Sequence, residues 1–301
     1  IFMGAMLERS GIAERLFEAI HMWTRRLPGG LGVGAIIMGT LFAASSGVVG
    51  ATEAVIGMLA IPVMLKHHYN NSLISGTICA SGSLGTAIPP SITVVVLGPV
   101  AGVSVGSLFS GLLLIFTVLG TILMGLATPT EAAACGALGS VLLALAYRNL
   151  TRDVLWHAAI KTMNISAMIL LIVMGGSMFA GVFFASGGMA TVQSMLMDTG
   201  LSPWMILGLI LFIAFVAGFV LDLISVVLII IPVAMPIVRM LGFDEIWFCV
   251  AFLVVLQTSY LTPPLAPAIF YLRAITPPEI TLKHMYWGVV PFIIAQLVVL
   301  A

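Results

Sequence analysis

The sequence predicts an all-α polytopic membrane protein made of two inverted structural repeats, each a re-entrant helical hairpin followed by a broken transmembrane helix. Three observations carry that expectation. Of 301 residues, 61% are hydrophobic and 7% are charged, whereas a soluble domain is about 25% charged. Two long apolar stretches are interrupted by proline pairs, in "SGSLGTAIPPSI" (81–92) and "TSYLTPPLAP" (258–267). The halves also match in order: "MLAIPVML" (58–65) resembles "LIIIPVAM" (228–235), and Pro89-Pro90 falls opposite Pro263-Pro264.

Residues 1–30 open with the end of a helix and then "IAERLFEAIHMWTRR" (12–26), whose helical apolar spacing with interleaved charges suits an interfacial or bundle-side helix. The first repeat follows at 31–106. Its hairpin (31–66) consists of apolar runs 31–46 and 51–65 around "SSGVVG". A spanning helix needs about 20 residues, so neither run crosses comfortably. Arg25 and Arg26 before it and Lys66 after it place both ends on the cytoplasmic side, which makes the segment re-entrant. Two short tilted crossings are the alternative. The broken helix of this repeat is 72–105, uncharged throughout.

Residues 107–202 hold connecting helices, with runs at 107–127, 131–147 and 163–187. Within "TPTEAAA", Thr128 and Glu131 form a capping box around Pro129, a structural role. The second repeat, 203–272, has its hairpin at 203–240 and its broken helix at 246–272; a loop and the start of a C-terminal helix fill 273–301. Arg148, Arg152 and Lys161 start the 163–187 crossing inside, so the second hairpin opens outside, opposite to the first. One count fails. An odd number of crossings is needed between residue 105 and Arg148, yet two runs lie there, so either a crossing is missing near 108–114 or one segment does not span.

Irregular backbone survives in a bilayer only inside protein or beside a polar cavity, and paired broken helices are a pointer to a secondary transporter's binding site. Unwound carbonyls and hydroxyls are hard oxygen ligands for a small cation, and half-helix N-termini suit a carboxylate. Ser81, Gly82, Ser83, Gly85 and Thr86 precede the first break; Thr258, Ser259 and Thr262 precede the second. The tips Ser45-Ser46-Gly47 and Gly218–Asp222 would face them. Asp222 is either a cation or cavity residue or the N-cap of the helix that follows. Glu53, the lone charge between residues 27 and 65, poses the same choice.

Other classes are poorly served. Net charge is zero, so nothing suggests nucleic acid. Cys79, Cys135 and Cys249 lack metal-ligand spacing and read as small core residues. The five histidines sit at segment ends, away from Ser46 and Ser91, so no catalytic residue and no enzyme are expected. No nucleotide signature is present.

"GATEAVIGMLAIPVMLKHHYNNSLISGTICASGSLGTAIPPSI", "GLATPTEAAACGALG" and "TSYLTPPLAPAIFYLR" resemble the large membrane (M) subunit of tripartite ATP-independent periplasmic (TRAP) transporters, over nearly the whole chain. The resemblance implies an elevator-type transport domain, with scaffold and arm helices at 1–30, 107–202 and 273–301. It implies a bacterial inner-membrane permease importing an organic acid with Na⁺ as coupling ion and no organic cofactor. The implied partners are a small Q subunit, separate or fused, and a periplasmic substrate-binding protein. Carried onto this chain, one implied Na⁺ site is Ser46, Gly47, Gly82, Gly85 and Pro89; the other is Gly218, Asp222, Thr258, Leu261 and Pro263. Ser45, Ser83, Thr86, Ser91, Ser259 and Thr262 are then expected to line the substrate cavity. The chain has Gly47-Val48-Val49 where many members have Gly-Ser-Ser. Members are longer, which locates the missing segment near Gly111-Leu112. The rival expectation is a channel-like or structural membrane subunit without Na⁺ coupling.

Overall fold

The computed structural model of the chain describes residues 2–10, 17, 20–24, 26–46, 49–87, 97, 100–102, 129–146, 148–198, 200–263 and 265–300. These residues are helical, with no strand among them. The helices are α1 (Phe2–Arg9), α2 (Gly30–Ser46), α3 (Val49–Lys66), α4 (Asn71–Ala87), α5 (Pro129–Ala146) and α6 (Arg152–Ala185). They continue with α7 (Gly188–Asp198), α8 (Pro203–Ala217), α9 (Leu223–Met240), α10 (Glu245–Leu261), α11 (Pro267–Arg273) and α12 (Leu282–Leu300). The anticipated break in continuity near 108–114 lies outside the described residues, as do the run at 107–127 and most of 12–26.

The middle of the molecule is α4, "NSLISGTICASGSLGTA", and residues 74–83 of it are buried. A helix hemmed in on all sides needs small side chains, and this one has them. A Cβ on Gly76 would overlap Gly288 of α12, one on Gly39 would overlap Ser81, and one on Gly32 would touch Thr77. Backbone-to-backbone approach of this kind replaces hydrophobic burial as the adhesive between membrane helices. The hydroxyls of α4 are satisfied internally: Ser75 Oγ donates to the Asn71 carbonyl (2.9 Å), Ser81 to Ile78 (2.8 Å) and Ser83 to Ala80 (3.0 Å). Polar residues can therefore sit at full depth without a desolvation penalty.

Around α4 pack α2, α3, α10, α11 and α12. One continuous core joins them, including Met38, Ile56, Met64, Ile78, Phe248 and Phe252. A second small core stands apart: Ala5, Met6, Ala144 and Ala158, where α1, α5 and α6 meet. Asn149 Nδ2 donates to the Ser10 carbonyl (2.9 Å) and holds that corner. α6 touches the main body along α9, where Gly176 admits Leu228.

α6 starts earlier than the 163–187 crossing read from the sequence. Thr151 caps it by accepting from Val154 N (3.2 Å), and Asp153 lies in its first turn, favoured by the helix dipole. The polar stretch "TRD" is thus a helix cap and start, and only "RNL" before it is non-helical. The link read at 188–202 contains α7. Cys79 and Cys249 are buried as expected, whereas Cys135 is exposed, because α5 turns most of its face outward. Among the described residues α6, α9 and α12 are long and apolar enough to cross a membrane. α8, with 15 residues, extends about 23 Å, short of a hydrocarbon core of about 30 Å.

Candidate site at the two helix breaks

The second break is described almost completely. α10 runs to Leu261, Thr262 turns extended (φ −84°, ψ 128°) and α11 starts at Pro267. Pro263 carries no N–H to continue the ladder and disfavours helix in the residue before it. Ala266, fully buried, takes a left-handed conformation (φ 35°, ψ 72°) to aim α11. Strain of this kind persists only where surrounding structure holds it.

The hydroxyls before the break all donate back into α10. Thr258 Oγ1 donates to the Val254 carbonyl (2.7 Å), Ser259 Oγ to Leu256 (2.8 Å) and Thr262 Oγ1 to Thr258 (2.6 Å). Each hydroxyl with its proton so engaged keeps oxygen lone pairs with which it could still accept or coordinate.

The second hairpin meets this segment at one point. α8 is capped at its end by Gly218, whose N–H donates to the Ala214 carbonyl (2.9 Å), and a Cβ there would overlap Ser259 Oγ. Ser259, expected in the substrate cavity, is therefore the residue under the tip. Thr258, one position along the helix, borders an apolar groove of about 220 Å³ with Leu211, Phe212 and Leu297. Leu261 is fully buried. Asp222 realises its capping alternative: Oδ2 accepts from Ile224 N at 3.1 Å and α9 begins at the next residue.

In the first half, α2 and α3 are joined through residues 47–48, and α4 ends at Ala87. Gly47, Pro89 and Ser91 lie outside the described residues; Ser45, Ser46, Gly85 and Thr86 are described as helical backbone only. Gly82 receives Glu53 of α3: a Cβ there would lie 2.9 Å from Glu53 Oε1. Glu53 is fully buried, and neither carboxylate oxygen has a hydrogen-bond partner among the described residues.

The two halves meet here. Gly50, beside the first tip, packs on the Tyr271 ring of α11 (2.8 Å to a Cβ), and Tyr271 lies beside Tyr260 of α10. Gln257, buried with an unpartnered Nε2, is a further polar group at depth on α10. Sequence reasoning passed over it, although a single amide inside "EIWFCVAFLVVLQTSYL" is itself a signal. It also missed the Glu53–Gly82 and Gly50–Tyr271 contacts, which need three dimensions to be seen. Among the described residues no cluster of His, Cys, Asp and Glu could hold a metal.

The comparisons with known proteins converge. The profile of the Tripartite ATP-independent periplasmic transporter, DctM component, matches residues 1–113 and 109–301. The C4-dicarboxylate TRAP transporter large permease protein DctM of Pseudomonas aeruginosa is 29% identical over 323 residues, covering 92% of this chain and 76% of that protein. The sialic acid TRAP transporter large permease protein SiaM of Vibrio cholerae is 24% identical over 348 residues, covering 100% and 81%. The isethionate TRAP transporter permease protein DctMQ of Oleidesulfovibrio alaskensis is 26% identical over 348 residues, covering 100% and 54%. With a multi-pass helical body and the profile running end to end, the chain belongs to the DctM family: it is a TRAP transporter large permease subunit and not an enzyme.

Proposed function

We propose that this subunit imports an organic acid across a bacterial inner membrane, coupled to Na⁺, with the acid delivered by a periplasmic substrate-binding protein and a small Q subunit completing the membrane part. The observation that carries the reading is the close approach of the α8 end to the α10 segment before its break, Gly218 on Ser259, beside three hydroxyl residues whose protons are engaged within α10. Related permeases are named for a C4-dicarboxylate, isethionate and sialic acid, all organic anions. An anion moving inward against a negative interior needs a co-transported cation; each net inward positive charge contributes about 2.3 kcal/mol per 100 mV.

The second cation site of this reading is Gly218, Asp222, Thr258, Leu261 and Pro263, and the first is Ser46, Gly47, Gly82, Gly85 and Pro89. Asp222 acts there through the oxygen not used in capping. The cavity between the sites is lined by Ser45, Ser83, Thr86, Ser91, Ser259 and Thr262. Two features support an inverted repeat with an elevator motion. Arg239 Nη2, at the base of the second hairpin, donates to the Ala101 carbonyl (3.2 Å) at the far end of the first broken helix. Asn71 Nδ2, at the start of that helix, donates to the Glu279 carbonyl (3.1 Å) beyond the second break. Both ties join segments that the charge pattern assigns to one membrane side. The separate α1–α5–α6 core is the scaffold against which the larger body moves. The reading also takes a family segment to be missing near residue 111, supported by two profile matches that meet at 109–113 and a SiaM alignment of 348 positions against a chain of 301 residues.

The test is uptake by proteoliposomes holding the subunit with its Q and binding-protein partners, offered labelled C4-dicarboxylate, isethionate and sialic acid in turn. One acid should accumulate above its external concentration under an inward Na⁺ gradient. Equal accumulation with choline in place of Na⁺ would reject the coupling.

A further inference from the structure

A groove of about 240 Å³ between α6, α7, α8 and α9 has no part in the reading above. Its walls are Phe179 and Phe183 of α6, Val192 of α7, Ile213 of α8 and the α9 side chains between Ile229 and Ile237. Every lining side chain is apolar. The rings of Phe179 and Phe183 stack with centroids 6.2 Å apart, and Gly188 makes room for Phe183, since a Cβ there would overlap its ring.

Depth, length and width decide what fills this space. Gly176 of α6 meets Leu228 of α9, and beyond that contact both helices line the groove toward their ends at Ala185 and Met240, where α8 begins. At the α8 and α9 ends Trp204, Phe243 and Trp247 cluster, the Trp204 ring centroid 4.8 Å from that of Phe243 and 6.0 Å from that of Trp247. Exposed tryptophans at helix ends mark the membrane–water interface, and the Arg239–Glu245 ion pair sits at the same end. The groove begins at Leu209, about 8 Å along α8 from Trp204. It then follows α9 from Ile229 to Ile237 for about 12 Å, which fits within the half-thickness of about 15 Å that one leaflet's hydrocarbon provides. Water does not suit it, because a buried water needs about two to four polar partners. A neighbouring helix, about 10–12 Å across, would need roughly four to six times this volume over the same length. Left empty, the groove would forfeit the contacts of its lining.

We propose that the groove is a lipid site, holding one acyl chain of a phospholipid from the leaflet bounded by Trp204 and Trp247. In the elevator reading the chain fills the seam between α6 of the scaffold and α8–α9 of the larger body; the site itself does not depend on that reading.

The experiment weighs the purified subunit by native mass spectrometry after a detergent wash and addition of palmitoyl-oleoyl phosphatidylethanolamine. Wild type should keep one phospholipid more than Ile213→Trp, which plugs the groove from its exposed rim. It should also keep one more than Val233→Phe, which fills the groove from the α9 wall and serves if the first variant folds poorly. Leu170→Trp, on an exposed α6 face half a turn away from Phe179, should keep the wild-type number. Equal lipid numbers in wild type and both groove variants overturn the inference. A cross-link from Ile213→Cys to another polypeptide in native membranes also overturns it, because protein would then occupy the place given to the chain.

Discussion

At the scale of single residues, glycine decides how closely this molecule packs. Gly76→Ala would drive a methyl into the backbone of Gly288, which cannot swing aside. Overpacking of that kind costs about 1–3 kcal/mol, so the variant should lose unfolding temperature in detergent. Gly175→Ala, with nothing within 4 Å of the new methyl, should be neutral or gain up to about 1 kcal/mol from helix propensity. Equal losses for both would contradict the crossing. Asp222 separates its two roles through a pair of variants. Asp222→Asn retains an oxygen for Ile224 N and should fold like wild type while Na⁺ activation of uptake weakens; Asp222→Ala should lose the cap too, at about 1 kcal/mol. Unchanged Na⁺ activation in both would leave Asp222 a cap alone. The break at Pro263 was readable because an absent N–H is a property of the residue itself. Glycine contacts were not, since the partner of Gly76 or Gly82 lies on another segment that no local pattern names.

At the scale of elements, α6 shows where patterning falls short. Thirty-four residues make a rod of about 51 Å, longer than the bilayer core, and the sequence suggested only its apolar part. The charges at Arg152 and Asp153 looked like a loop, yet with Thr151 as cap they start a helix. Leu170, Met174 and Met178 on this helix are exposed in the subunit by itself. Nitroxide labels there should be reached by oxygen dissolved in lipid and not by water-soluble nickel complexes. Protection from both would mean that the chain folds back over α6. The short hairpin helices were foreseen from run length alone, and the bounds of α2, α3, α8 and α9 follow the predicted runs within a few residues. The first broken helix is described only to Ala87 and again around 97 and 100–102, so the second break is the better view of the device.

For the whole molecule, composition and the repeated "IPV" and "PP" marks were enough to read a membrane transporter, because covalent pattern and bilayer thickness together leave few arrangements. What pattern could not supply is how the halves interlock. The start of α3 rests on α11 through Gly50 and Tyr271, and distant segments are tied at Ala101–Arg239 and Asn71–Glu279. Arg239 is also held by Glu245, with Nε and Nη2 each donating at 2.9 Å. Two halves of opposite orientation meeting at one site is the central claim, and the sidedness of their hairpin bases tests it most directly. In a background lacking Cys79, Cys135 and Cys249, single cysteines replace His67, at the base of the first hairpin, or Met240, at the base of the second; both positions are exposed. A membrane-impermeant maleimide should label Met240→Cys only from the periplasmic side and His67→Cys only in inside-out vesicles. Labelling of both from the same side would contradict the inverted arrangement.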